Sequence, residues 1–133
     1  MNIRSCVQVD SELDIVAARQ TGREMAKDIG FSEVEQARIA TAISELARNI
    51  FLYAHTGTIC ISYLEEEGQM GIQIESQDRG PGISDVQQAM EDGYTTSGGL
   101  GAGLPGVKRL MDSFHIQSQS GSGTQITGIK WLR

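Results

Sequence analysis

Between Ser97 and Lys108 the chain reads Ser-Gly-Gly-Leu-Gly-Ala-Gly-Leu-Pro-Gly-Val-Lys, with glycines at 98, 99, 101, 103 and 106. No hydrophobic core is built from such a run. Glycine loses more backbone entropy on folding than any other residue, so a cluster belongs where the chain needs unusual dihedrals or lies close to a ligand. A helical pattern follows from about Pro105 through Met111, and bare amides at the mouth of a helix suit an anion, phosphate above all. A flexible surface linker is the alternative for this stretch taken alone. Three further polar features need an explanation: Glu45 with Asn49, Asp78 ahead of two glycines, and Gly123-Thr124. Each has a structural alternative. Glu45 could pair with Arg48 three residues on, Asn49 could be solvated, Asp78 could close an Asx-turn, and Gly123-Thr124 could be only a hairpin.

These residues must be held by the elements around them. Ser5 to Val9 reads as a strand, and Ser11 with Asp14 makes a capping-box arrangement for a helix whose stripe is Ile15, Ala18, Gly22, Met25, Ala26 and Ile29, ending at Gly30. Ser32 with Glu35 opens a second helix, free of proline and glycine to about Ala54. Its stripe is Ile39, Ile43, Leu46, Ile50 and Tyr53, and Thr41, Glu45 and Asn49 line an adjacent edge. Thr58 to Leu64 and Met70 to Ile74 alternate as a hairpin around Glu65 to Gly68, with one buried face. The second of these strands runs into Asp78-Arg79-Gly80-Pro81-Gly82-Ile83, which turns the backbone out of the sheet. A short helix is expected over Asp85 to Met90. Beyond the glycine stretch and its helix, Phe114 to Ser118 is a strand, and Thr124 to Leu132 another with a bulge near Gly128. That order predicts an α/β two-layer sandwich, a mixed and mainly antiparallel sheet with helices on one face.

With 133 residues the chain is the size of one domain, spanning 1–133. Its net charge of −6 and pI of about 4.8 argue against nucleic acid, which needs a basic face, and favour a protein partner. No apolar stretch is long enough for a bilayer and no signal-peptide pattern opens the chain, so no membrane association and a cytoplasmic location are expected. Cys6 and Cys60 have no metal-ligand spacing and read as buried free thiols of a reducing compartment. A P-loop NTPase and a eukaryotic-type kinase are excluded, because neither Gly-x-x-x-x-Gly-Lys-Ser/Thr nor His-Arg-Asp and Asp-Phe-Gly is present.

The joint order of the four features carries a resemblance over nearly the whole chain. Glu45-Leu-Ala-Arg-Asn49, Asp78-Arg-Gly80-Pro-Gly82, Gly98 to Leu104 and Gly123-Thr124 resemble the N box, two glycine boxes and closing threonine of the gyrase, heat-shock-90, histidine-kinase and MutL ATPase superfamily (GHKL, the Bergerat fold). Ala42 to Asn49, Tyr94 to Lys108 and Ile129 to Arg133 are similar, more narrowly, to the serine/threonine kinases of bacterial partner-switching modules, the stressosome switch kinases of the anti-sigma-factor-kinase branch. The resemblance implies ATP and Mg²⁺ as cofactors. It implies Asn49 as the Mg²⁺ ligand, Glu45 as the general base toward a serine or threonine hydroxyl, and Asp78 as acceptor of the adenine amine. Gly80, Gly82 and Thr124 would border the base, and Gly101 and Gly103 would present amides to phosphate. Ile83, Gly99, Leu100, Ala102, Leu104 and Lys108 complete the implied nucleotide-binding set.

The implied partners are STAS-domain antagonist or scaffold proteins as phosphoacceptors and, after release, a PP2C-type phosphatase. A module in which nucleotide only gates sequestration of a partner is the alternative. Two positions depart from the pattern. Gly99 and Leu100 stand where related kinases often carry an arginine, so Arg79, Lys108 or Arg109 would supply that charge, or the rate would depend on a partner; Tyr53 stands where a histidine is common. The glycine run then becomes the end of an ATP lid, about Asp92 to Pro105.

Overall fold

Two capping sequences set the helical layer, and a computed structural model describes residues 4–82, 90, 103–118 and 121–133 of the chain. The elements are β1 (Arg4–Val9), α1 (Glu12–Ile29), α2 (Glu33–Asn49), a π-helical turn (Ile50–Ala54), β2 (Gly57–Glu66), β3 (Gln69–Asp78), α3 (Gly103–Leu110), β4 (Ser113–Ser118) and β5 (Thr124–Trp131). At the start of α1, Asp14 Oδ2 accepts the backbone N–H groups of Asp10 at 2.8 Å and Ser11 at 3.1 Å. These bonds, that from Asp10 foremost, hold the Asp14 carboxyl below the usual carboxylate range. Gly30 ends α1 at φ 108°, its N–H reaching back to Ala26 and Lys27. Ser32 Oγ accepts the Glu35 N–H at 3.2 Å and starts α2.

Ile39, Ile43, Leu46 and Ile50 are at most 1% exposed, and they meet the buried Ile59 and Ile61 of β2, Ile72 and Ile74 of β3 and Val107 of α3 in one core. Each such side chain contributes about 1.5–3 kcal/mol of burial. Gly22 is what lets α1 come close: a Cβ there would lie 2.0 Å from Ile43 Cδ1. The sheet order is β1-β2-β3-β5-β4, and every pairing among the described residues is antiparallel. The two-layer α/β expectation holds, while the sheet expected to be mixed is antiparallel throughout the described residues. Thr58, Gln73, Glu75, Gln77 and Thr127 alternate with the buried isoleucines and form the polar opposite face.

Five local expectations change. The second helix reaches Ala54 but widens into a π turn after Asn49, which carries Tyr53 off the stripe and leaves it 41% exposed. The hairpin turn is shorter than Glu65 to Gly68: β2 runs to Glu66, and Glu67 (φ 51°) with Gly68 (φ 80°) forms a two-residue turn whose positive dihedrals match the strand twist. No bulge interrupts β5, whose register with β3 runs unbroken from Gly71↔Trp131 to Asp78↔Thr124. The alternation is disturbed for other reasons. Gly128 faces inward beneath Met111, where a Cβ would lie 3.0 Å from Cγ, and Lys130 faces inward to an ion pair with Glu35. Helix α3 begins at Gly103, two residues before the expected Pro105. Cys6 and Cys60 are not buried free thiols; they are opposite residues of β1 and β2 joined by a disulfide, with Cys6 exposed. Most of the helix expected over Asp85 to Met90, and the lid as far as Ala102, lie outside the described residues.

Candidate active site

The inner edge of α2 supplies the first part of the site. Glu45 is 3% exposed, and its Oε1 accepts from Arg48 Nη1 at 2.9 Å. Its Oε2 is buried with no hydrogen-bond partner among the described residues. The Arg48 ion pair is thus present, and it engages one carboxylate oxygen and leaves the other. Asn49, four residues on and half-buried, makes no side-chain bond to the turn that follows it. The α-helix gives way to the π turn immediately after Asn49, a feature common at functional sites. His55 closes that turn at φ 69° and ψ −33°, a positive φ uncommon outside glycine.

The second part is the end of the sheet. Asp78 closes β3 between Gly57 of β2 and Thr124 of β5. Its Oδ1 accepts the Gly80 N–H at 2.9 Å, so an Asx-turn is present. Two glycines allow the approach. A Cβ at Gly123, itself at φ 83°, would lie 2.3 Å from Asp78 O, and one at Gly80 would lie 2.6 Å from Ala54 Cβ. The second contact seats the Asp78–Gly80 turn directly against the π turn, which joins the α2 part of the site to the sheet part. Gly121 N–H donates to Pro81 O at 2.6 Å and ties the turn to the β4–β5 connection. Thr124 Oγ1 is in hydrogen-bond contact with Ser118 Oγ at 2.8 Å, and Ser118 Oγ also reaches Gly123 O at 2.9 Å. Gly82 continues the turn at φ 75°.

Glu45, Asn49, Asp78, Gly80, Gly82 and Thr124 are therefore placed on contiguous elements at one end of the sheet. Gly103 opens α3 at φ 68°, Leu104 belongs to the core, and Lys108 is exposed on the last turn of α3. Ile83, Gly99, Leu100, Gly101 and Ala102 lie outside the described residues. Sequence reasoning missed Gly57 and Ser118. Gly57 lies where a Cβ would be 2.6 Å from Gln77 O, and its signal was a lone glycine at the head of an alternating strand. Ser118, at the end of β4, had none beyond its place across the turn from Thr124. A surface groove of about 580 Å³, lined by Gly30, Gly68, Gln69, Met70 and Leu132 among others, is at the hairpin end of the sheet. It shares no residue with this site.

The histidine kinase-like ATPase domain family matches residues 8–130. The chain belongs to this family. It is 61% identical over 133 residues, the full length of both proteins, to the serine/threonine-protein kinase RsbT of Bacillus subtilis. It is 33% identical over 104 residues to the anti-sigma F factor of Caldanaerobacter subterraneus subsp. tengcongensis, covering 74% of this chain and 71% of that one. Among solved structures, the mycobacterial sensor histidine kinase MprB superposes with a TM-score of 0.56 at 14% identity over 98% of this chain and 99% of that one. The SiaB–SiaC complex of Pseudomonas aeruginosa gives 0.55 at 11% identity, covering 96% and 89%. At such identities the two structures show the fold. This member of the histidine kinase-like ATPase family is an ATP-using protein serine/threonine kinase of the RsbT kind.

Proposed function

We propose that residues 1–133 act as one cytoplasmic kinase domain that phosphorylates a serine or threonine of a STAS-domain protein and, when released, activates a PP2C-type phosphatase. The carrying observation is the buried Glu45 Oε2, without a partner among the described residues, one helical turn before an Asn49 whose side chain does not cap the turn that follows it. A desolvated acceptor with one oxygen left over is suited to take a hydroxyl proton. As the acceptor oxygen bonds to the γ-phosphorus, the bond from that phosphorus to the β–γ bridging oxygen breaks. The hydroxyl proton passes to Glu45 Oε2 and ADP leaves.

The nucleotide would lie with adenine against Asp78, Gly80 and Thr124, where Asp78 Oδ2 accepts the exocyclic amine. Phosphate would meet the amides at the start of α3. The residues present fit a Mg²⁺ ion: Asn49 supplies a neutral oxygen, and Mg²⁺ bound to phosphates needs few protein ligands and keeps waters. Among the described residues no cluster of three or more His, Cys, Asp or Glu side chains forms a dedicated metal cage. When bound, the ion would neutralise phosphate charge. No helix among the described residues is long and apolar enough to cross a membrane.

Labelled ATP, Mg²⁺ and a STAS-domain protein test the reading. Label is expected on the STAS protein with wild type and is lost with Asp78→Asn, together with binding of ATP. Binding of the STAS protein with no transfer would favour a gated docking module instead.

A further inference from the structure

We propose that Arg48 is a positioning residue for phosphoryl transfer, acting through Glu45; this rests on the reading of Glu45 as the base. A glutamate carboxylate turns about a broad, two-fold terminal torsion, so burial alone does not decide where its oxygens point. Here one oxygen is tied. Arg48 Nη1 donates to Oε1 at 2.9 Å, a contact that restricts the terminal torsion while Oε2 is buried with no partner among the described residues. The two partners differ sharply in exposure: the Glu45 side chain is 4% exposed and that of Arg48 36%. The guanidinium therefore keeps water on its outer side while its inner edge holds a carboxylate that has lost almost all of its own. A surface i,i+3 pair has both members solvated and mobile, and this pair does not.

The consequence is a division of labour along one turn of α2. Arg48 compensates the charge of Glu45 and fixes its plane, Oε2 is left to take the proton, and Asn49 stands next in sequence. A point charge could supply the compensation without the planar fork, so lysine should restore part of what arginine does.

The test measures steady-state transfer from ATP to a STAS-domain protein, with ATP binding and thermal unfolding followed in parallel. Arg48→Met is expected to lower kcat between about tenfold and a hundredfold while the KM for ATP stays within about twofold, as for a misplaced catalytic group. Arg48→Lys should recover part of kcat. In a double-mutant cycle, adding Arg48→Met to Glu45→Gln should cost nothing further, since the group through which Arg48 acts is already gone. Three results would overturn the proposal: unchanged kcat in a folded Arg48→Met, a rise in KM with kcat preserved, or an equal further loss in the Glu45→Gln background. Full activity of Glu45→Gln alone would instead remove the reading of Glu45 as base, an outcome separable from the others.

Discussion

Two of the three glutamates of helix α2 have an arginine three residues on, and the two ends of the helix use the same pair differently. At its start, Glu35 Oε1 takes Arg38 at 2.6 Å and Oε2 takes Lys130 from β5 at 3.0 Å. At its end, Glu45 Oε1 takes Arg48, and Oε2 has no partner among the described residues. Glu35 is 27% exposed in its side chain and fully engaged; Glu45 is 4% exposed and half engaged. A buried polar atom without a partner costs about 1–3 kcal/mol, so it persists where something other than stability retains it. The satisfied carboxylate fastens the helix to the sheet, and the half-satisfied one is the proton acceptor we propose.

The sharpest break in that comparison is a swap of charge for amide at each end. Glu45→Gln should lower phosphoryl transfer by about 10²–10⁴-fold, the usual share of a general base. Its fold should be kept, because Arg48 is exposed enough to be hydrated once its partner is neutral. Transfer rates and urea midpoints on the same preparation check both halves. A large loss of stability with transfer lost only in proportion would make Glu45 a structural residue like Glu35.

Glu35→Gln should do the reverse. Lys130, 10% exposed in its side chain, would be left as an inward cation without a countercharge. Removing one partner of a fully buried pair costs about 3–5 kcal/mol, and the partial exposure of Glu35 brings the expectation down to about 1–2 kcal/mol. Transfer measured well below the unfolding temperature should stay within about twofold. Adding Lys130→Met to Glu35→Gln should restore part of the stability, since an apolar side chain of similar length needs no partner there. A double variant no more stable than Glu35→Gln would show that the cost lies elsewhere.

The contrast between the two ends also marks how far the sequence could be read. Capping pairs, apolar stripes and alternation are local, and they placed both long helices, the hairpin and Asp78 at a strand end. They gave Glu35 a capping role and did not reveal its second ion pair, because Lys130, which reaches Glu35 and not Glu45, lies 95 positions away. The disulfide was hidden likewise, since nothing local shows that Cys6 and Cys60 face each other across two strands. The π turn was unreadable because residues 50–54, Ile-Phe-Leu-Tyr-Ala, suit a continuing α-helix. It packs against Gly80 through Ala54, a contact between distant parts of the chain that no local pattern shows. The site motifs were legible through their joint order, and the resemblance covered nearly the whole chain.

A smaller effect separates the two ends by pH. The Glu35 carboxyl is held below its ordinary value of 4.5, first by the hydrogen bond from Lys130, with the charges of Lys130 and Arg38 adding to it and burial opposing. The folded state therefore binds fewer protons than the unfolded chain as the pH falls through that region, and stability falls with it. The contribution is complete above the unfolded value and is lost as pH drops through the lower, folded one. Urea unfolding at several pH values should show a gap between wild type and Glu35→Gln that is constant from neutrality to about pH 5 and narrows below it, as the wild-type carboxylate is protonated. A gap that widened on acidification would mean that folding tightens, rather than weakens, the hold of the Glu35 carboxyl on its proton. Arg38→Met should narrow the gap less than Lys130→Met, because the Lys130 bond is the larger cause and the Arg38 side chain is 52% exposed.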